Sequence, residues 1–205
     1  MLLEIHPDNP DPRKIAQVIE CLRDGGTIIY PTDTIYGLGC DIMQPKAIEK
    51  VCRIKGVKAE KTNFSFICQD LSHITEFTMA TDNNIYKLMR KTLPGAYTYI
   101  LRANNSVPKL FKNNKKTVGI RVPDNNIALD IVRALGNPIL STSLHTPEDD
   151  FLDYYTDPQD IYDYYEKLVD IVIDGGYGGN VASTVVDCTS DMPELIREGA
   201  GAIIW

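Results

Sequence analysis

Amphipathic helical segments alternate with short apolar runs along most of this chain, and that alternation restricts the fold more than any single residue does. Asp11 followed by Pro12 forms a cap with proline in the first turn. Ile15, Val18, Ile19 and Leu22 then recur at helical spacing, and Gly25-Gly26 closes the segment. Thr27-Ile-Ile-Tyr30 reads as a buried strand ending at Pro31, and Pro45 to Ile54 as the next helix, with Ile48, Val51 and Cys52 on one face. Between them, Pro31 to Asp41 reads as a loop.

Strand character returns at Phe64–Cys68, Tyr97–Leu101, Thr117–Val122 and Pro138–Ser143. Helices are predicted over Asn84–Lys91 and Ile127–Leu135, the latter closed by Gly136, with a turn at Pro94-Gly95. Three more strands, near Asp170–Asp174, Thr184–Asp187 and Glu194–Arg197, follow with little helix between them, so the sheet is expected to be mixed. The acidic, tyrosine-rich stretch Glu148–Tyr165 is the one shift in composition. It reads as an inserted flap carrying a helix over Pro158–Lys167. The prediction is one α/β domain over residues 1–205.

Composition removes several function classes. No apolar run approaches the roughly twenty residues needed to span a bilayer, and the start of the chain lacks a basic, apolar leader, so a soluble cytoplasmic protein with no membrane partner is expected. The five cysteines, Cys21, Cys40, Cys52, Cys68 and Cys188, form no CxxC pair and read as buried free thiols. A net charge of −7 argues against general coating of nucleic acid, although lysines cluster locally at Lys109, Lys112, Lys115 and Lys116.

The best position for a site is Thr32-Asp33-Thr34, two hydroxyls and a carboxylate directly after a buried strand, where open α/β sheets bind ligands. The same three residues also suit a turn that caps its own backbone. Gly37-Leu-Gly39 is a fragment of a phosphate loop but completes neither GxGxxG nor GxxxxGK[ST]. Gly175-Gly-Tyr-Gly-Gly179 reads as a bend or hinge. His6, His73 and His145 have no Ser-His-Asp or HExxH setting, which leaves triad hydrolysis unsupported. Asp33 and Asp187 read as caps or rim charges, and no metal ligand is assigned.

Five segments in order, Tyr30-Pro-Thr-Asp-Thr-Ile-Tyr-Gly-Leu-Gly39, Pro94-Gly-Ala-Tyr-Thr98, Val118-Gly-Ile-Arg-Val-Pro123, Leu140-Ser-Thr-Ser143 and Ser183-Thr-Val-Val-Asp187, resemble the signature segments of the YrdC/YciO family. Cys52-Arg-Ile-Lys55, Asn63-Phe64 and Thr92-Leu-Pro-Gly95 are closer to its YciO branch. The resemblance implies a YrdC-like fold, of the double-stranded-RNA-binding type: a twisted mixed sheet with a concave, positively charged cleft. It implies synthesis of threonylcarbamoyl-AMP from L-threonine, bicarbonate and ATP with Mg2+, toward the t6A modification of tRNA. Two alternatives are binding of double-stranded RNA or tRNA, and removal of threonylcarbamoyl from t6A. Nothing in the sequence speaks to oligomeric state.

By position, the resemblance carries a catalytic role to Lys55 and Arg121 and ligand contacts to Thr32, Thr34, Tyr36, Ser141, Ser143, His145 and Arg197. Three positions depart from the family pattern: Val57 stands for the arginine of a K-x-R motif, Cys68 for a histidine, and His145 for the asparagine of an S-x-N motif. Losing a bidentate arginine from a phosphate should cost about 1.5–3 kcal/mol. Weak or altered threonylcarbamoyl transfer is therefore expected.

Overall fold

A computed structural model describes residues 1–58, 64–108, 116–144 and 154–205. Ten strands form one mixed, open sheet: β1 (Leu2–Glu4), β2 (Thr27–Tyr30), β3 (Gly37–Asp41), β4 (Ser65–Ile67), β5 (Tyr97–Arg102), β6 (Thr117–Arg121), β7 (Ile139–Ser143), β8 (Ile171–Asp174), β9 (Thr184–Asp187) and β10 (Glu194–Arg197). Across the sheet they run β1-β8-β2-β3-β7-β4-β6-β5-β9-β10. The helices are α1 (Pro12–Arg23), α2 (Pro45–Lys55), α3 (Leu71–Thr75), α4 (Asn83–Thr92), α5 (Asn126–Leu135) and α6 (Pro158–Tyr165).

The helices form where caps and apolar spacing coincide. The side chain of Asp11 accepts a hydrogen bond from Arg13 N at the start of α1, and Asn125 accepts one from Ala128 N at the start of α5. Gly136, at φ +78°, takes the left-handed conformation that ends α5. Buried Ile15, Val18, Ile19 and Leu22 of α1 meet Ile127, Ile131, Val132 and Leu135 of α5, and together they cover Ile28 and Tyr30 of β2, Ile139 of β7 and Ile171 and Ile173 of β8. On the opposite face, α2, α4 and α6 pack with Ile29, Cys40, Phe66, Tyr99, Leu101, Val118, Ile120, Leu140 and Val186 into a second cluster.

Among the described residues, this arrangement leaves part of one face without a helix over it. The second cluster takes Tyr97, Tyr99 and Leu101 of β5 and Val118 and Ile120 of β6, so strand alternation turns Thr98, Ile100 and Arg102, and Thr117, Gly119 and Arg121, the other way. Beyond the reach of α1 and α5, those residues have no helix above them among the described residues.

The structure corrects the sequence reading at two places. The stretch Pro31–Asp41 is not wholly loop: Gly37–Asp41 is β3, paired antiparallel with β2 and β7. Its two glycines carry no side-chain pattern and weaken strand propensity, yet the strand is buried throughout. The helix of the acidic stretch ends at Tyr165 rather than Lys167, and residues 148–153 of that stretch lie outside the described residues, as do Lys109, Lys112 and Lys115 of the lysine cluster. β1 and α3, only 3 and 5 residues long, carry too little pattern to be read from sequence. All five cysteines are free, with Cys21 half-buried and the rest buried. Among the described residues no helix is long and apolar enough to cross a membrane.

Candidate functional site

The part of the sheet face left open by the described helices is the floor of a cleft of about 860 Å³. Hydroxyls and small residues pave it: Ser65 from β4, Thr98 from β5, Thr117 and Gly119 from β6, and Ser141 and Ser143 from β7. Ile35 and Tyr36 rise at one end. Ser183, Ile196 and Arg197 close the side toward β10. Among the described residues, four cationic ones line the cleft, Arg102, Lys116, Arg121 and Arg197, against one carboxylate, Asp187, in a chain whose net charge is −7.

Arg121 ends β6 under the Thr32–Thr34 loop. Its Nη2 donates to Asp33 Oδ1 and to Thr34 Oγ1, both at 3.0 Å, while the backbone N–H of Asp124 donates to Asp33 Oδ2 at 3.1 Å. The side chains of Arg121 and Asp33 are each 9% exposed. Burial pulls the Arg121 pKa down, and the neighbouring Asp33 carboxylate opposes that shift. Arg121 Nε is buried with no hydrogen-bond partner among the described residues. A buried N–H left unmade is costly, which makes this atom a donor awaiting an acceptor.

The loop itself is held by its hydroxyls. Thr32 Oγ1 donates to Ile35 O at 2.7 Å, lies 3.1 Å from Thr34 Oγ1, and accepts from Thr34 N at 3.1 Å. Both threonines are buried, and neither lines the cleft wall; they support Arg121 and Ile35, which do. The turn thus caps its own backbone while bracing a cleft cation.

Tyr36 closes the glycine run over the loop: its hydroxyl donates to Gly176 O at 2.6 Å and accepts from Gly175 N at 3.3 Å. Burial pushes its phenol up to about 12. Arg197 directs its guanidinium at Ser183, with Nη2 2.7 Å and Nε 3.2 Å from the carbonyl oxygen, and Ser183 Oγ stands 2.8 Å from Thr98 Oγ1.

Lys55, at the end of α2, donates from Nζ to Ser143 O at 2.8 Å, and burial lowers its pKa. It does not line the cleft; its ammonium reaches the cleft through the carbonyl of a residue that does. Val57 packs against the core beside Ile54. Cys68, following β4, is fully buried, and burial raises its thiol pKa. His145 lies outside the described residues. Among those described, no group of three or more His, Cys, Asp or Glu side chains could hold a metal ion.

Sequence reasoning missed Asp33 as the partner of Arg121, and it missed Arg102 in the cleft lining although it had singled out the lysine cluster that contains Lys116. The two residues of the ion pair lie 88 positions apart, so no local spacing points to it. The one available signal was alternation in β5 and β6, which sets Arg102 and Arg121 on the face opposite the apolar residues.

Known proteins share this fold. The family model Sua5_yciO_yrdC, described as "Telomere recombination", matches residues 20–199. The uncharacterized protein YciO of Escherichia coli K12 is 45% identical over 200 residues, which are 97% of this chain and 95% of that one. The crystal structure of E. coli YciO superposes with a TM-score of 0.91 at 43% identity, covering 98% of this chain and 97% of that one. The threonylcarbamoyl-AMP synthase of Bacillus subtilis is 31% identical over 193 residues, 92% of this chain but 54% of the synthase, so this chain spans about half of its length. P. abyssi Sua5, crystallised with L-threonine, has the same fold, with a TM-score of 0.87 at 24% identity over 97% of this chain and 57% of that one.

Proposed function

The chain belongs to the Sua5/YciO/YrdC family, and from that premise we propose that its cleft binds a nucleotide or a threonylcarbamoyl-adenylate, with weak or altered threonylcarbamoyl-AMP synthase activity. The observation that carries this reading is the cleft floor. About 860 Å³ paved with Ser and Thr hydroxyls and flanked by Arg121 and Arg197 suits a ligand of nucleotide size with phosphate and hydroxyl groups. The bare Nε of Arg121 supplies one fixed donor for a phosphate, carboxylate or acyl oxygen. L-Threonine is bound in the P. abyssi relative, which supports an amino-acid portion in the ligand.

In the full reaction, the threonine amine would take up bicarbonate with loss of water, and the carbamate oxygen would then attack the α-phosphorus of ATP. An oxygen–phosphorus bond forms, the bond to the β-phosphate breaks, and pyrophosphate leaves. Such chemistry needs positioning and charge stabilisation rather than a protein nucleophile. ATP with Mg2+ would enter as substrate. Two features support a reduced rate: Val57 packs on the core where the family places a cation, and Lys55 commits a hydrogen bond to Ser143 O.

A second reading, contact with an RNA backbone, is favoured only by Arg102 and Lys116, which stand exposed on the cleft lining. Mass spectrometry of purified protein with ATP, L-threonine, bicarbonate and magnesium tests the first reading, with Arg121→Ala alongside. Threonylcarbamoyl-AMP from the wild type, lost in the variant, supports it. Absence of product together with absence of any melting shift with AMP, ATP or threonylcarbamoyl-AMP overturns it. RNA binding with no steep salt dependence counts against the second.

A further inference from the structure

Tyr30 is fully buried at the end of β2, and its hydroxyl donates to Ser141 Oγ, on β7, at 2.7 Å. One strand, β3, lies between them. The ring crosses that strand because Gly37 and Gly39 have no side chains: a Cβ on Gly37 would stand 3.3 Å from Tyr30 Cζ and 3.1 Å from Ser141 Oγ, and one on Gly39 would stand 3.1 Å from Tyr30 Cε1. The Gly37-Leu-Gly39 fragment therefore serves as a passage for a tyrosine, where its sequence had offered half a phosphate loop.

A serine hydroxyl has one hydrogen and two lone pairs. The geometry makes the Tyr30 O–H the donor of the pair, and burial, which pushes the phenol up to about 12, keeps that proton in place at neutral pH. Ser141 Oγ is then an acceptor toward Tyr30, and the hydrogen of Ser141 has no acceptor among the described residues. Ser141 lines the cleft.

We propose that Tyr30 is a positioning residue which, through its hydrogen bond to Ser141 across the glycine-bared β3, commits the Ser141 hydroxyl to donate into the cleft. The ligand group it meets is an oxygen acceptor without a hydrogen of its own: a phosphate, carboxylate or acyl oxygen. Without the phenol, Ser141 could turn and offer its lone pairs instead, and the bias toward an acceptor would be lost. This inference rests on the reading of the cleft as an adenylate site, and it adds Tyr30 to that site although Tyr30 touches no ligand.

Calorimetric titration of AMP and threonylcarbamoyl-AMP into wild type, Tyr30→Phe, Ser141→Ala and the double variant tests it. Tyr30→Phe keeps the ring and should weaken binding by about threefold to tenfold, the range of one neutral hydrogen bond. Ser141→Ala should weaken it at least as much, and the double variant should bind like Ser141→Ala alone, since Tyr30 acts only through that hydroxyl. Gly37→Ala, which crowds the Tyr30 ring and the Ser141 hydroxyl, gives the same comparison if Tyr30→Phe fails to fold: alone it should weaken binding, and added to Ser141→Ala it should weaken binding no further. Additive losses would overturn the inference, as would a Tyr30→Phe protein that binds normally while Ser141→Ala does not. A wild type that binds neither compound overturns the adenylate reading and the inference with it.

Discussion

Nη2 of Arg121 stands 3.0 Å from Oδ1 of Asp33, and both side chains are 9% exposed. Each charge was taken from water to build the cleft wall, and each depends on the other to offset that cost. Removing one partner of such a pair strands the other, at about 3–5 kcal/mol, whereas removing both together costs less than the sum. Asp33→Ala and Arg121→Ala should each lower the urea midpoint by that order, with Asp33→Leu/Arg121→Met recovering a large part. A double variant that loses the full sum of the two single losses would mean that the pair is not coupled.

Asp170 accepts from Thr27 N at 2.7 Å, Thr27 Oγ1 at 3.1 Å and Lys50 Nζ at 2.7 Å. Burial pushes its carboxyl pKa up, but the Lys50 hydrogen bond, the Thr27 N–H and the Lys50 charge outweigh it, and the net shift is below the ordinary 3.8. A carboxylate with a lowered folded-state pKa binds fewer protons folded than unfolded, so its contribution is complete above 3.8 and is lost as pH falls through the lowered value. Asp170→Asn should flatten the acid limb of a stability-against-pH curve and leave its shape near neutrality unchanged. An unaltered acid limb would contradict this.

The Tyr36 hydroxyl joins the Thr32–Tyr36 loop to Gly175 and Gly176. Tyr36→Phe should cost about 1 kcal/mol and raise amide exchange at Gly175, whose N–H would lose its acceptor. Because the phenol is raised from 10 to about 12, its contribution is complete below pH 10 and fades as pH approaches 12. Exchange at Gly175 that stays as slow as in the wild type would place the closure elsewhere.

Gly39→Ala should be far more harmful than Gly37→Ala. A Cβ at Gly39 would stand 2.7 Å from Ile139 Cγ2 and press on the Leu140 carbonyl, where the backbone cannot yield. At Gly37 the nearest atom is a serine hydroxyl at 3.1 Å, which can move by a few tenths of an ångström. Overpacking predicts a loss of about 1–3 kcal/mol or more for the first and a smaller one for the second, measured by thermal melting. The reverse order would show that the Tyr30–Ser141 contact is stiffer than the strand backbone.

The elements that sequence announced are those with a local cause. α1 declares itself through the Asp11 cap and α5 through its Gly136 stop, each with an apolar stripe that a partner helix then buries. β3 is silent because Gly37 and Gly39 owe their place to a ring from the neighbouring strand, a reason that exists only after folding. The same holds at the site. The family segments contain all four of Arg121, Asp33, Ser141 and Tyr30, but not who pairs with whom: Asp33 lies 88 positions from Arg121, and Tyr30 lies 111 from Ser141. Lys55 shows the converse, a residue whose type fits phosphate binding but whose ammonium is directed to a backbone carbonyl.

Strands β5 and β6 serve two masters with alternate residues. Tyr99, Leu101, Val118 and Ile120 belong to the interior, while Thr98, Ile100, Thr117 and Gly119 face the cleft. Neighbours in the chain thus answer to different selective demands. Mutation can rewrite the floor one position in two, changing which small molecule is welcomed, without drawing on the packing that keeps the sheet folded. A lineage built on such strands can change chemistry while its architecture stands still.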